Sequence, residues 1–223
     1  MISLPIIAKS LAKRAYMSST KFPNLIRFQI LRFVYKKSQS LEIVRWRNSK
    51  VDFYEVIRTR RSVRSFKQDP IPKEVLNKVL EAARIAPSGG NRQPWKFILV
   101  KDDILKRKMI PVCNNQSFIA EAPVIVVACG QRLPMNRGGY MGEMSVLLDV
   151  SIAFTHLILA ARAEGLGTCW IGAFNNDEIK KLLHVPEGYE VVAATPLGYP
   201  SEDVFAEPRN RKDLDEIVSL NKF

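Results

Sequence analysis

Pro123-Val124-Ile125-Val126-Val127-Ala128-Cys129 is an unbroken apolar run of strand length, and residues 142–164 beyond it form a longer run rich in Leu, Ile and Ala. The first run predicts a buried central strand. The second predicts the longest helix of the chain, apolar almost all round and therefore buried on several faces. That makes it the natural centre of a dimer. Working outward, Trp95–Val100, residues 168–171 and Tyr189–Leu197 read as further strands. Between them lie helical patterns. Asp52 can cap a short helix to Thr59 with Phe53, Val56 and Ile57 facing inward. Pro72 sits at the first turn of a helix reaching about residue 86, with Val75, Leu76, Val79, Leu80, Ala83 and Ala86 on its buried face. A polar helix is expected near 102–110 and a short one near 175–183. The pattern from residue 51 onward is that of a compact α/β or α+β body. No internal repeat is visible.

The 223 residues are 47% hydrophobic and 25% charged, the composition of a globular protein with a real core. No run approaches the roughly 18 apolar residues needed to cross a bilayer, so no membrane span is expected. Cys113, Cys129 and Cys169 form no C-x-x-C pair, and His156 and His184 are the only imidazoles. A metal site is therefore not expected. Sparse, odd cysteines suit a reducing compartment, with the thiols acting as small buried hydrophobes. The expected location is cytoplasmic.

The net charge of +12 is unevenly placed. Residues 1–50 hold eleven Lys or Arg against one acid, Glu42, leaving 23 basic and 21 acidic residues in the rest. The chain divides into a basic extension, 1–50, and a near-neutral body, 51–223. That split removes the main argument for nucleic-acid binding by the body. Within the extension, residues 2–16 and 24–37 read as basic amphipathic helices. Three readings stand for them: contact with an anionic membrane surface, an organelle transit peptide, or helices packed on the body or on a partner subunit.

Three polar features carry chemistry. Arg60-Arg61-Ser62-Val63-Arg64 gathers three guanidiniums that repel unless an anion joins them, and phosphate accepts their forks bidentately. The other reading is a solvated basic turn at a helix end. Pro87-Ser88-Gly89-Gly90-Asn91-Arg92-Gln93-Pro94-Trp95 offers small residues that let backbone approach a flat ligand, and in Asn91 a donor with an acceptor. It also serves as a loop ending a helix before a strand. Arg209-Asn210-Arg211-Lys212 is a solvated tail segment unless it returns to the first cluster. The glycines fit neither a P-loop nor a G-x-G-x-x-G fingerprint.

In this order and spacing R-R-S-V-R, P-S-G-G-N-R-Q-P-W, G-L-G-T-C-W-I-G (165–172), L-G-Y-P (197–200) and R-N-R-K resemble the nitroreductase family over about residues 52–218. The resemblance implies an α+β fold with a central, mainly antiparallel sheet flanked by helices. It also implies an intertwined homodimer with two FMN sites at its interface. By motif position, Arg60, Ser62 and Arg211 look like phosphate or ribityl contacts, with Arg209 a further phosphate candidate. Arg64 resembles the cation near flavin N1 and O2, where reduction leaves negative charge. Arg61 falls inside the motif and would contribute backbone contacts. Pro87, Ser88 and Gly89 would run along the isoalloxazine, from the partner subunit, and Asn91 would bond its pyrimidine ring. Trp170, Ile171 and Gly172 match the strand end facing N5 and O4.

The implied activity is ping-pong transfer of hydride from NAD(P)H through flavin N5 to an electron-poor small molecule, a nitroaromatic, quinone or similar acceptor. No catalytic side chain is required. Arg137 and Tyr140, in the loop from Gln131 to Met144, are substrate candidates, against the reading of a loop with no specific role. The family's iodotyrosine deiodinases close a longer helical lid over their substrate. The short interval from Val100 to Pro123 holds no such insertion, which disfavours dehalogenation. Two other classes stand beside the enzyme: a flavin-binding sensor or storage protein, and a membrane-surface protein whose basic extension is the functional element.

Overall fold

A computed structural model of the chain describes residues 51–133, 142 and 144–223. The extension 1–50 and the substrate candidates Arg137 and Tyr140 lie outside the described residues. The helices are α1 (Phe53–Thr59), α2 (Lys73–Arg84), α3 (Asp103–Val112), α4 (Ser145–Ala163) and α5 (Asn176–Leu182). The strands are β1 (Trp95–Val100), β2 (Val124–Gln131), β3 (Gly167–Thr168) and β4 (Tyr189–Gly198). They form one sheet in the order β1-β2-β4-β3, with every neighbouring pair antiparallel. The fold is α+β, as expected.

The apolar run of β2 is continuous because both faces of the strand are covered. Val124, Val126 and Ala128 pack with Val79 of α2 and with Phe154 and Leu157 of α4. The alternate residues Ile125, Val127 and Cys129 pack with Met109 and Val112 of α3 and with Ile179 of α5. Burial pushes the thiols of Cys113 and Cys129 up to about 11, so both stay protonated at neutral pH, and desolvation is the leading cause.

Helix α4 is the beam of the fold. Val150, Ala153, Phe154, Leu157 and Ala161 are fully buried along it. At nineteen residues it is long and apolar enough to cross a membrane by length and composition, which corrects the expectation that no such stretch exists. Here it packs in a core and carries two charged residues, Asp149 and Arg162, that are themselves buried. Leu148 and Ile152 remain exposed on it.

Two other expectations are corrected. In α1 only Val56 is buried; Phe53 and Ile57 are 62% and 42% exposed. The Asp52 cap forms as expected, its Oδ2 accepting from the N–H groups of Tyr54 and Glu55 at 2.9 and 3.3 Å. A seven-residue helix lying on the surface has room to bury one side chain, not three. Pro72 is the N-cap of α2 rather than its first helical residue.

The strand expected over 168–171 stops at Thr168 and resumes as a single bridge between Ile171 and Ala194. The register, Gly167 opposite Gly198 and Thr168 opposite Leu197, puts Cys169 opposite Pro196. Proline has no N–H to give, so the ladder fails there. The N–H of Cys169 donates to Thr195 Oγ1 instead, at 2.9 Å.

Two contacts tie the polar segments to this frame. Val63 N–H donates to Thr168 O at 2.9 Å, and Ser62 bridges Thr168 in parallel, so the arginine segment lies along the outer edge of β3. The Val63 side chain fills the space over Gly167, where a Cβ would meet its atoms at 2.7–2.9 Å. At the other end, buried Asp149 accepts from Gly89 N–H at 3.0 Å, which anchors the 87–94 loop to α4.

Gly167→Ala is expected to lower stability by about 1–3 kcal/mol, since Val63 or the backbone must shift; urea denaturation measures it. Asp149→Ala leaves Gly89 N–H without its acceptor. Hydrogen exchange at that amide is expected to speed up about tenfold or more, while Asp149→Asn, which keeps an acceptor, preserves most of the protection.

Candidate functional site

Arg60 is the C-cap of α1, its N–H donating to Val56 O at 3.0 Å. From there the chain turns onto the edge of β3. Ser62 and Arg64 then project from the segment on either side of buried Val63. The three polar residues gather around Cys169. Its thiol is pushed up by burial, while the Arg64 charge, a hydrogen bond with Ser62 and the Arg60 charge oppose that rise. Arg64 lies over the Phe118 ring, 5.9 Å from its centroid. The structure thus brings Arg60, Ser62 and Arg64 to one place.

Arg61 points elsewhere. Its Nη1 donates to Arg60 O at 2.6 Å and to Arg58 O at 3.1 Å, which satisfies carbonyls at the end of α1. For this residue the reading of a basic turn at a helix end describes its side chain. Its Nη2 is buried with no hydrogen-bond partner.

Among the described residues, no ion pair involves Arg60, Arg61 or Arg64. The two guanidiniums of Arg60 and Arg64 and the Ser62 hydroxyl, without a facing carboxylate, are a donor set that fits a phosphate. Arg61, turned back onto the end of α1, stands apart from this set.

Trp170, Ile171 and Gly172 follow directly. Ile171 exchanges both backbone bonds with Ala194, at 2.8 and 3.0 Å, so its polar groups are spent. By strand alternation the backbone groups of Trp170 and Gly172 turn to the open edge. The Trp170 ring is 40% exposed and meets Phe154 of α4 edge to face, centroids 4.8 Å apart. Ile171 therefore serves as the anchor, with Trp170 and Gly172 offering the free backbone.

The 87–94 loop is anchored apart from the arginine segment. It precedes β1, the opposite edge of the sheet. It hangs from Asp149, thirteen residues along α4 from Arg162, which contacts Thr59 next to Arg60. At about 1.5 Å per residue, the two anchor points lie about 20 Å apart along the helix. Within the loop Gly90, Asn91 and Gln93 have φ of 60°, 54° and 51°. Gln93 stabilises the conformation: its N–H donates to Ser88 Oγ at 2.9 Å and its amide to Asn91 Oδ1 at 3.1 Å. Asn91 therefore presents its amide N–H donors outward.

The tail returns toward the arginine segment. Ser201 N–H donates to Ser65 O at 3.1 Å, and Glu207 pairs with Arg58 at 3.2 Å. Arg209 and Arg211 follow two and four residues later. Both are exposed, with the left-handed Asn210 (φ 58°) between them, and neither bonds to the first cluster.

Sequence reading missed Asp149, Arg162, Phe118, Gln93 and the placement of Cys169. A lone acid and a lone arginine inside an apolar helical run were the available signal for the first two. The others depend on contacts distant in sequence.

Comparison with known proteins agrees with this geometry. Residues 57–199 match the family model described as the nitroreductase family. A putative NADH dehydrogenase/NAD(P)H nitroreductase of Methanothermobacter thermautotrophicus is 34% identical over 159 residues, covering 70% of this chain and 81% of that protein. Iodotyrosine deiodinase 1 of Rattus norvegicus is 29% identical over 199 residues, covering 75% and 68% respectively. The crystal structure of a nitroreductase family protein from Clostridium novyi NT has 37% identity and a TM-score of 0.62, covering 74% of this chain and 91% of that one. With the motifs, the antiparallel sheet and the matched span all in agreement, the chain belongs to the nitroreductase family of oxidoreductases.

Proposed function

We propose that this protein is an FMN-dependent oxidoreductase that takes electrons from NAD(P)H and delivers them to an electron-poor small molecule such as a nitroaromatic or a quinone. The observation that carries the reading is the convergence of Arg60, Ser62 and Arg64 at the β3 edge without a carboxylate to balance them. FMN, when bound, supplies the two-electron transfer between donor and acceptor. Arg60 and Ser62 hold its phosphate, and Arg209 and Arg211 add charge from the tail. Arg64, supported by Phe118, places a fixed cation where negative charge develops on reduction. Trp170 and Gly172 offer backbone groups along the open edge.

The 87–94 loop precedes β1, at the sheet edge opposite β3, and hangs from Asp149, about 20 Å along α4 from Arg162 at the end of the arginine segment. This spacing favours a loop supplied to the flavin site by a second copy. We therefore propose a homodimer. Phe53, Tyr54 and Ile57 of α1, Leu148 and Ile152 of α4, and Leu214, Ile217, Val218 and Leu220 of the tail are exposed apolar groups for its interface.

Dehalogenation is the less favoured chemistry despite the likeness to a deiodinase. Between Val100 and Pro123 the chain forms only α3 and a single turn at Ser117–Ala120, and Met109, Val112 and Ile119 bury that segment in the core. It lies in the body of the fold, with no inserted lid.

Purified protein is expected to be yellow, with bands near roughly 375 and 450 nm. Mixing with NAD(P)H in a stopped-flow instrument is expected to bleach them within the time of a turnover. Protein that stays colourless after exposure to FMN overturns the proposal. Slow bleaching favours a storage or sensing role instead. Arg64→Ala is expected to retain some flavin but to lose about 1–3 kcal/mol of preference for the reduced form. That corresponds to a two-electron potential lower by about 20–60 mV. An unchanged potential in spectroelectrochemical titration removes Arg64 from this role.

A further inference from the structure

Arg162 is an unusual resident of α4. It lies in the last turn of an apolar core helix and is only 8% exposed. Its Nε donates to Thr59 Oγ1 at 3.0 Å, and its Nη2 lies 3.8 Å from Glu55 Oε1. The face of its guanidinium covers the Phe205 ring, with Cζ 4.1 Å from the centroid. One side chain of the core helix therefore touches two further segments, α1 and the C-terminal tail.

The two segments it joins to the helix are those that deliver phosphate-binding candidates. Thr59 immediately precedes Arg60. Its hydroxyl accepts from Arg162 and donates to Glu55 O at 2.6 Å, so both its roles are spent on this junction. Phe205 is the last residue of the tail that is even half-buried; every residue from 206 to 223 is exposed. Arg209 and Arg211 therefore extend from an anchor whose inner wall is Arg162. The other link between tail and α1, Arg58 with Glu207, is 60% and 69% exposed, and an ion pair that wet holds little. A buried guanidinium costs desolvation that an aliphatic side chain would avoid. Its planar fork alone can bond Thr59 while stacking on Phe205.

We propose that Arg162 is a positioning residue that sets the spacing between Arg60 and the tail arginines Arg209 and Arg211, and so determines affinity for the phosphate of the cofactor. The inference rests on the FMN reading above. Arg162 does not touch the cofactor; it acts through Thr59 and Phe205.

The test compares FMN with riboflavin, which lacks the phosphate, on the full-length protein. Dissociation constants for both are measured by flavin fluorescence for wild type, Arg162→Lys, Arg162→Met and Phe205→Leu, with melting temperatures of the flavin-free proteins. Loss of phosphate alignment is expected to weaken FMN binding about tenfold in Arg162→Met, and to weaken riboflavin binding less than about twofold. Arg162→Lys keeps the charge but lacks the planar fork, so it is expected to recover only part of the loss. Phe205→Leu removes the stacking partner and is expected to shift the ratio of the two constants in the same direction. If both flavins weaken equally, or if neither changes, Arg162 has no special link to the phosphate and the proposal falls. Should Arg162→Met fail to fold, Phe205→Leu carries the same comparison from the other side of the contact. Wild-type protein that binds neither flavin overturns the FMN reading itself, an outcome separable from an unchanged ratio in the variants.

Discussion

Helix α4 sets the distances on which everything else depends. It is buried along most of its length, and each of its three working positions holds a different polar segment. Near its start Asp149 holds Gly89 and the loop before β1. At its middle Phe154 braces Trp170 beyond β3. In its last turn Arg162 holds Thr59 and Phe205. A packed helix has a fixed rise and little freedom to bend, so these contacts stand at set intervals. Burying an aspartate and an arginine in such a helix is costly unless each is bonded, and each is. Leucine at both positions would pack more easily, but the loop, the arginine segment and the tail would then lose their registration to the core.

The parts of this design that were legible in the sequence are those governed by local pattern. The run Val124–Cys129 announced a strand covered on both faces, and residues 142–164 announced a buried helix. Motif spacing singled out Arg60, Ser62 and Arg64, and the fold gathers these three around Cys169. What could not be read depended on register or on chain direction. The strand expected at 168–171 breaks because Cys169 falls opposite Pro196, a fact that exists only once β3 and β4 are aligned. The three inward residues expected in α1 reduce to Val56, because amphipathic spacing reports which residues share a face and not how much of that face the neighbours cover. Arg61 reads like Arg60 and Arg64 in sequence, yet it turns back onto the carbonyls of Arg58 and Arg60 while its neighbours do not.

That difference between adjacent arginines bears on how the cluster survives without an anion. The carbonyls at the end of α1 carry partial negative charge, and a guanidinium placed there gains from it. Arg61 uses this source. Arg60 caps the same helix and shares part of the benefit through its position. Arg64 stands further off, exposed and over an aromatic face that offers a weaker electrostatic partner. Repulsion within the segment is thus partly offset by the fold and is left incomplete at Arg60 and Arg64, the two residues assigned to the ligand. The backbone bonds of Val63 to β3 and its seat on Gly167 hold the segment in place against the remaining repulsion.

The sheet order carries the last step. With β1 and β3 at opposite edges, the loop before β1 and the residues after β3 open in different directions from one chain. In the proposed homodimer the Pro87–Asn91 loop of a second molecule would meet a ring system lying against Trp170 and Gly172. The left-handed residues Asn91 and Gln93 hold that loop in a conformation that costs energy for a side chain with a Cβ, while Gly90 adopts it freely. Such strain is retained where a defined surface must be presented. The exposed apolar residues of α1, α4 and the tail are the surface the proposed homodimer would cover. On the proposed reading a homodimer would complete the site, because the sheet order sets the arginine segment and the 87–94 loop at opposite edges of each subunit.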